Sequence, residues 1–185
     1  MTRVAVGAIA VVALVGLLYT LNRIDDVAVV APTADDHLPR YTLSKAELTR
    51  YDADGQPSLR ATATSLEYFD DESAKASTLV LDTLSGTRTP WHIEAPTGAL
   101  APGSKVFTLS GAVVAQGQWP DNGEAVTVRT PTMLVDPDRH LLSTAADVNA
   151  DSRSRKGSAT GMTANWTQQD LHLLNNVKMR YEVTR

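Results

Sequence analysis

Hydrophobic and polar residues alternate along the last segment of the chain. The apolar positions are Leu171, Leu173, Val177, Met179, Tyr181 and Val183. The polar positions between them include His172, Lys178, Arg180 and Glu182. Successive side chains of a β-strand point to opposite faces, so a period of two is typical of a strand with one buried face. The pattern therefore predicts a β-strand near the C-terminus.

The same alternation recurs in the segments before it. The residues that share a parity, segment by segment, are Trp91, Ile93 and Ala95; Phe107, Leu109, Val113 and Ala115; Val126 and Val128; and Leu142, Thr144, Ala146 and Val148. Dipeptides that favour turns separate the segments, namely Asp54-Gly55, Ser85-Gly86, Pro102-Gly103, Asn122-Gly123 and Lys156-Gly157. Turn signals this close together leave no room for helices of ordinary length, so the sequence predicts an all-β domain.

The dipeptide Asn122-Gly123 is the strongest hairpin signal of the chain. Both residue types tolerate the positive φ that a type I′ turn requires, and such a turn joins two antiparallel strands tightly. The sequence therefore predicts a tight type I′ hairpin at this point.

Three strand pairs of the domain resemble one another in sequence. Gly98-Ala99-Leu100 leads to Val113, Thr132-Met133-Leu134 leads to Val148, and Met162-Thr163-Ala164 leads to Val177, each at a similar distance. A repeated strand pair predicts stacked β layers with a continuous interior, because each pair covers the apolar face of its neighbour. The ends of such a stack are predicted to be open edges.

An uncharged apolar segment lies near the N-terminus. Residues 4–21 are 18 positions without a charge, and only Thr20 is plainly polar. As an α-helix with a rise of ~1.5 Å per residue, the segment is about 27 Å long, close to the hydrocarbon thickness of a bilayer. No pair of small residues follows it directly, so an uncleaved anchor is favoured over a cleaved signal peptide. A pseudopilin helix, the third alternative, lacks its expected early glutamate.

The sequence therefore predicts three parts. Residues 1–24 are a cytoplasmic stub and a transmembrane anchor, residues 25–40 are an extended periplasmic linker, and residues 41–185 are a periplasmic domain. The anchor residues expected to meet the membrane are Val4, Leu14, Leu18 and Tyr19. This organisation predicts a single-pass protein of the inner membrane with most of the chain in the periplasm.

Composition narrows the expected function. The chain has no cysteine, which excludes disulfides, thiolate metal sites and cysteine nucleophiles. Its formal net charge is -4, without the basic stripe that binds nucleic acid. The four histidines are scattered, and neither a nucleophile elbow nor a phosphate-binding loop occurs. We therefore expect no metal site, no cofactor, no nucleic-acid partner and no catalysis.

Several short motifs follow the apolar segment. They are Tyr51-Asp-Ala-Asp-Gly-Gln-Pro, Leu59-Arg-Ala-Thr-Ala, Leu66-Glu-Tyr68, Trp91-His-Ile-Glu-Ala95, Gly98-Ala-Leu100, Leu109-Ser-Gly-Ala-Val113, Val128-Arg-Thr130, Leu134, Asp147-Val148, Gly161-Met162 and Val177-Lys-Met-Arg-Tyr181. In its order, its spacing and its position behind an anchor, this series resembles the LptC family of lipopolysaccharide export proteins over essentially the whole chain. Of these residues, Tyr181 on the last strand is the most important for the resemblance.

The resemblance implies a single twisted, V-shaped and open β-jellyroll of the OstA-like kind, without enzymatic activity. It implies that an ABC transporter extracts lipopolysaccharide and that the jellyroll receives the acyl chains in a hydrophobic groove. The lipid then passes to an LptA-like periplasmic bridge protein. It also implies edge-to-edge docking with the periplasmic jellyrolls of the transporter, and an anchor helix that packs on the membrane subunits and influences their ATP use.

The alternation and the resemblance together predict the site residues. The residues expected to line the groove are Leu59, Ala61, Leu79, Leu81, Trp91, Ile93, Phe107, Leu109, Val113, Val126, Val128, Leu134, Leu142, Val148, Leu171, Leu173, Val177 and Met179. Leu43 and Tyr51 on the first strand are expected to face the transporter. Tyr181 and Val183 on the last strand are expected to face the bridge protein.

The residues alone leave two alternatives open. The same inward side chains can form a solid packed core, which would make the protein a membrane-anchored scaffold that binds a β-partner by edge addition without carrying lipid. A periplasmic hydrolase is the other alternative, and it would need a clustered nucleophile and base that the sequence does not show.

Overall fold

The domain is built from β-strands in the part of the chain that a computed structural model describes, residues 38–84 and 90–182. The strands are β1 (Tyr41–Tyr51), β2 (Pro57–Tyr68), β3 (Ala74–Thr83), β4 (His92–Leu100), β5 (Phe107–Gln118), β6 (Ala125–Asp136), β7 (Leu141–Asp151), β8 (Arg155–Asn165) and β9 (Asp170–Tyr181). They form one nine-stranded antiparallel sheet in which sequence neighbours pair, from β1 at one edge to β9 at the other. The predicted all-β, unclosed architecture is confirmed.

The predicted anchor lies outside the described residues. This applies to Val4, Leu14, Leu18 and Tyr19, to most of the linker, and to Val183 at the other end of the chain. Within the two described ranges, no helix is long and apolar enough to span a membrane. The anchor and its orientation stay predictions.

Capping side chains explain where several strands end. Between β1 and β2, Asp52 Oδ1 accepts hydrogen bonds from the backbone N–H groups of Asp54 (3.0 Å) and Gln56 (2.8 Å). Between β8 and β9, Asn165 Oδ1 accepts one from the backbone N–H of Thr167 (3.1 Å). Short polar side chains stabilise turns in this way because they replace a missing backbone acceptor.

The hairpin between β5 and β6 is wider than the sequence predicts. The backbone N–H of Trp119 donates to the carbonyl of Glu124 (2.9 Å), and that of Gly123 donates to the carbonyl of Trp119 (2.8 Å). Gly123 has a φ of 70°, whereas Asn122 is not among the residues with positive φ. The predicted hairpin is present. The predicted type I′ turn is wrong, because such a turn needs positive φ at both central residues.

Inward side chains form continuous rows across the sheet. One row comprises Leu48, Ala61, Leu81, Ile93, Ala115, Val128, Ala150, Gly157 and Met179. A second row, toward the other end of the strands, comprises Tyr41, Tyr68, Ala74, Leu100, Phe107, Val135, Leu142, Ala164 and Leu171. Opposed side chains in such rows contact one another, so each strand covers the apolar face of its neighbours.

β-Bulges interrupt the pairing of β4 to β9 at successive positions. The register shifts lie between Glu94 and Thr97, Ser110 and Val113, Arg129 and Leu134, Thr144 and Asp147, and Ser158 and Thr160. Each bulge bends its strand, and the right-handed twist accumulates over the whole sheet. Opposite strand ends therefore meet: Arg50, near the end of β1, contacts Asp138 in the turn after β6.

The predicted repeat corresponds to the hairpins β4–β5, β6–β7 and β8–β9. Val113 is the first paired residue after the bulge of β5, Val148 is the second after the bulge of β7, and both are buried. Val177 lies within the bulge of β9, where Asn176 and Val177 oppose the single Ala159 of β8. It is 46% exposed because β9 is an edge strand, and its contact with lipid stays a prediction.

Leu134 is wrongly assigned to the interior. It is 43% exposed, whereas Met133 is 1% and Val135 is 0% exposed. Upstream on the same strand Val128 faces inward, and the bulge between Arg129 and Leu134 then shifts the parity of β6 by one position. A one-residue shift moves every following side chain to the other face, which no regular alternation anticipates.

The interior of the folded sheet is a packed apolar core. Its largest fully buried side chains are Trp166, Leu59, Leu81, Ile93, Leu109, Met133, Leu142, Met162, Val113, Val126, Val128 and Val135. Burying a side chain of this size contributes roughly 1.5–3 kcal/mol. The core extends from β2 to the β8–β9 turn and holds the strands that carry the candidate site.

Candidate functional site

An apolar groove of about 390 Å³ opens on the inner face of the sheet near β1. It is formed by β1 to β4 and the start of β5. The larger side chains that line it include Tyr41, Leu43, Leu48, Leu66, Tyr68, Leu79, Leu100 and Phe107. The smaller ones are Ala46, Ala61, Ala63, Ala74, Ala76 and Gly98, with Ala99 beside them. Such a lining suits hydrocarbon, since each CH₂ removed from water contributes roughly 0.8 kcal/mol.

The groove is open because the interior closes only gradually along the sheet. In one cross-strand row, Tyr41 on β1 is 46% exposed, whereas Leu142 on β7 is fully buried. In the other row, Leu48 on β1 is 53% exposed, whereas Leu81 on β3 is fully buried. The β1 side of the sheet therefore holds a trough, and the β6 to β8 side holds a closed core.

Small residues make the space of the groove. Ala46 pairs with Ala63 between β1 and β2, and Ala76 pairs with Gly98 between β3 and β4. A Cβ built on Gly98 would lie only 2.4 Å from Cδ2 of Leu79. No larger residue fits there unless Leu79 moves, so Gly98 lets Leu79 lie flat on the floor of the groove.

Two cationic side chains lie at one end of the groove. A second opening of about 330 Å³ shares Leu48, Leu100 and Phe107 with the groove, and Arg50 and Lys105 also line it. Arg50 faces inward because it pairs with the buried Leu59 of β2. The opening beside the two cations therefore adjoins the groove, with three apolar side chains lining both spaces.

One carboxylate contacts both cationic side chains. Arg50 forms an ion pair with Asp138 Oδ1, and Lys105 Nζ lies 3.3 Å from Asp138 Oδ2. The hydrogen bond from Lys105, followed by the charge of Arg50, holds the pKa of Asp138 below its usual value. We refer to Arg50, Lys105 and Asp138 as the charged rim; its members come from β1, the β4–β5 turn and the β6–β7 turn.

Within residues 38–84 and 90–182, β1 and β9 are the two edges of the sheet, and each pairs with a neighbour on one side only. Leu43 and Tyr51 on β1 are 45% and 61% exposed, and Tyr181 on β9 is 67% exposed. An edge strand presents free N–H and C=O groups to which another strand can be added. The three residues lie on edge strands, as predicted, and the partners assigned to them stay a prediction.

A buried arginine holds the end of β8 beside Tyr181. Arg155 pairs with Tyr181 and is 9% exposed. Its guanidinium donates two hydrogen bonds to Asp121 (2.9 and 3.0 Å) and lies 4.8 Å from the ring centroid of Trp119. These bonds lower the pKa of Asp121 and raise that of Arg155. The bidentate pair joins the β5–β6 hairpin to the strand that supports the β9 edge.

One histidine is held between two carboxylates on the outer face. His92 Nδ1 lies 2.7 Å from Asp82 Oδ1, and Nε2 lies 3.1 Å from Glu94 Oε1. The contact with Asp82, with a smaller contribution from Glu94, raises the pKa of His92. In the described part of the chain, no three potential ligands are grouped so that they could hold a metal ion.

Most residues predicted to line the groove are buried in the core, and two of these also line the groove. The buried ones are Leu59, Ala61, Leu79, Leu81, Trp91, Ile93, Leu109, Val113, Val126, Val128, Leu142 and Val148. Those partly buried against the core are Phe107, Leu171, Leu173 and Met179. Of the predicted set, the ones that line the groove itself are Ala61, Leu79 and Phe107.

Much of the groove was not predicted from the sequence. The residues that were not assigned to it include Leu48, Leu66, Tyr68, Ala76 and Gly98. A signal was present, because small residues recur at alternate positions of β2 and β3, where a packed core would favour Leu, Ile or Val. Large side chains dominate the alternating pattern, although the small ones create the space.

An unclosed antiparallel sheet with an apolar groove and two free edges defines an open, jellyroll-like β-protein. The fold resembles that of LptH from Pseudomonas aeruginosa, described as the LptA homologous periplasmic component of the conserved lipopolysaccharide transport device. The TM-score is 0.52 at 11% sequence identity, and the match covers 68% of this chain and 95% of that chain. At this identity the likeness concerns the fold alone.

The amino-acid sequence identifies the family to which the chain belongs. The family model described as "Lipopolysaccharide-assembly, LptC-related" matches residues 8–182, nearly the whole chain. The chain therefore belongs to the LptC-related family, which consists of lipopolysaccharide transport proteins and is not an enzyme family, and it has a role in lipopolysaccharide transport. A search of the curated proteins gives no match.

Proposed function

We propose that this protein is a relay that holds the acyl chains of lipopolysaccharide in the apolar groove and passes them on toward a periplasmic bridge protein. The observation that carries the proposal is the groove itself, about 390 Å³ of apolar space in a member of a lipopolysaccharide-assembly family. A trough lined by alanine, leucine and tyrosine takes up hydrocarbon, while sugar and phosphate groups stay in water.

The two edges give the relay a direction. The groove lies next to β1, so lipid enters from the β1 edge, where Leu43 and Tyr51 dock on a periplasmic jellyroll of the ABC transporter. The β9 edge, with Tyr181 and the predicted Val183, docks on the LptA-like bridge protein. Lipid that moves from β1 to β9 must widen the closed core, because Leu142 and Val128 on its path are fully buried.

The anchor completes the proposal. The apolar segment of residues 4–21 holds the domain at the inner membrane in a single pass, next to the membrane subunits of the transporter. Anchoring keeps the domain at the membrane that lipid leaves, which raises the local concentration of both partners.

The scaffold without lipid is the second candidate function. The closed core from β6 to β8, with Val128, Val135 and Leu142 fully buried, is the observation that favours it. A scaffold uses only the two edges and would leave the groove empty of lipid.

In-cell photo-crosslinking distinguishes relay from scaffold. A photoreactive residue replaces Leu43 or Leu66 on the inner face, or one of the neighbours Thr42 and Glu67 as outward-facing matched controls. The relay gives lipopolysaccharide adducts at the inner positions and not at the outer ones. Protein adducts along the edges, with no lipopolysaccharide at any inner position, would leave the scaffold and remove the relay.

A further inference from the structure

We propose that Arg50 and Lys105 form a binding site for a phosphate group of the lipid whose acyl chains lie in the groove. This inference rests on the proposed function, since it names the chemistry that holds the headgroup. The site consists of two cationic side chains that line an opening next to the groove, and three apolar side chains line both spaces. An anionic amphiphile can bind both the cationic side chains, through its headgroup, and the apolar space, through its acyl chains. A neutral amphiphile gains nothing from the cations.

Arg50 is placed to bind the headgroup of a lipid whose acyl chain lies in the groove. Arg50 follows Leu48 on the inner face of β1, and Leu48 lines both the groove and the second opening. Lys105 lies in the β4–β5 turn and lines the second opening, and Phe107 at the start of β5 lines both spaces. An acyl chain that lies over Leu48 and Phe107 therefore places its headgroup between the two cations.

Asp138 occupies the place that the phosphate would take. Its two carboxylate oxygens each contact one cation, Oδ1 with Arg50 and Oδ2 with Lys105. A phosphate carries more negative charge than a carboxylate and offers three acceptor oxygens, so it matches the guanidinium fork and the ammonium together. A phosphate replaces Asp138 where a sugar hydroxyl would not.

The neighbouring charges leave the two cations available. Glu47 also lines the groove, but its carboxylate lies 3.6 Å from Arg60, which pairs outward with Asp82 of β3. Arg50 and Lys105 together carry one positive charge more than Asp138 neutralises. Among the residues that the structure describes, the charged rim is thus an exposed cationic site that is only partly compensated.

The test uses the full chain in phosphatidylcholine nanodiscs with a photoreactive residue at Leu66, which lines the groove away from the rim. The double variant Arg50→Gln, Lys105→Gln is expected to lower the yield of lipopolysaccharide adducts about tenfold, about threefold for each exposed cation that is removed. Asp138→Asn is expected to raise the yield, because it frees both cations. Arg129→Gln, which removes an outward-facing cation of β6 that lines neither the groove nor the second opening, is the matched control and leaves the yield unchanged.

The double variant should lower the adduct yield and Asp138→Asn should raise it, and this difference distinguishes headgroup binding from a structural role of the rim. If the rim only holds the fold together, the double variant and Asp138→Asn both lower the yield and the thermal midpoint, and the proposal is overturned. Lipopolysaccharide treated to remove its lipid phosphates should crosslink equally to the wild type and the double variant. A difference that persists without phosphate also overturns the proposal.

Free phosphate is the other source of the same chemistry. Phosphorus NMR of the lipid-free chain with inorganic phosphate detects it: binding that the double variant loses, together with unchanged lipopolysaccharide adducts, assigns the site to free phosphate and overturns the headgroup. If the wild type gives no lipopolysaccharide adduct at Leu66, the proposed relay itself is contradicted, whatever the rim variants do. Wild-type adducts that no rim variant alters leave the relay in place and remove only this inference.

Discussion

Gly117 of β5 lies against the indole ring of Trp91: a Cβ built on Gly117 would be 2.5 Å from both Cδ2 and Cε2 of that ring. Trp91 is 6% exposed and belongs to the core, directly before β4. The ring can pack on β5 only because Gly117 has no side chain. This contact closes the core at the strand ends opposite the Tyr41 row.

Gly117→Ala should lower the free energy of unfolding by about 1–3 kcal/mol, because an indole ring in a packed core has no room to retreat. Urea denaturation measures the loss. Gly157→Ala is the matched control: its Cβ would lie 2.5 Å from Met179 Sδ, and a flexible thioether on an edge strand can move aside. Equal losses in the two variants would show that the rigidity of Trp91 is not the cause.

Leu81 and Leu48 belong to one cross-strand row but should respond differently to truncation. Leu81→Ala leaves a cavity at a fully buried position and should cost about 2–5 kcal/mol of stability. Leu48 is 53% exposed, so Leu48→Ala should change stability by less than about 0.5 kcal/mol while lowering the yield of lipopolysaccharide adducts in the groove. Urea denaturation and crosslinking from Leu66 measure the two effects. A large stability loss at Leu48 would mean that the groove is part of the core.

Tyr181 and Tyr51 provide a matched pair for the two edges. They are 67% and 61% exposed, so Tyr181→Glu and Tyr51→Glu should both leave the thermal midpoint unchanged. A charge at Tyr181 should reduce co-purification of the LptA-like bridge protein, and a charge at Tyr51 should reduce that of the transporter. The reverse result, or the loss of both partners in each variant, would contradict the assigned direction.

The stability of the domain should depend on pH through His92. Its contact with Asp82, helped by Glu94, raises its pKa above the usual value of 6.5. A raised pKa in the folded state means that the stabilisation is fully present below pH 6.5 and is lost as the pH rises through the folded value. The urea midpoint should therefore fall when the pH rises from about 6.5 toward 8, and less so in His92→Gln.

Asp82→Asn is the partner variant for this measurement. It removes the first cause of the raised pKa and should flatten the same slope. If the wild type and both variants share one pH profile, His92 does not contribute.

The strand content could be predicted from residues because alternation and turn chemistry are local. The segments from Trp91 to Ala95 and from Leu142 to Val148 show a clear period of two, and both became strands. Leu134 could not be placed, because the bulge in β6 shifts the parity without changing the composition. A bulge depends on the pairing strand, which a single segment does not contain.

The groove was harder to predict than the strands for a related reason. Alternation says which side chains share a face, but not how far away the opposite wall lies. Leu81 and Leu48 have the same inward direction, and only their position in the sheet makes one core and the other groove. The alanines and Gly98 become informative when four adjacent strands place them side by side.

From residues alone, the chain is an all-β domain with two open edges, no cysteine and an apolar N-terminal segment, since these properties depend on composition and on spacing within one strand. The division of the inner face into closed core and open groove needed the fold, because it depends on twist and bulges accumulated over many strands. The charged rim depends on the tertiary fold most of all. Arg50 and Asp138 are 88 residues apart in the chain, and no local pattern brings a β1 side chain to the turn after β6.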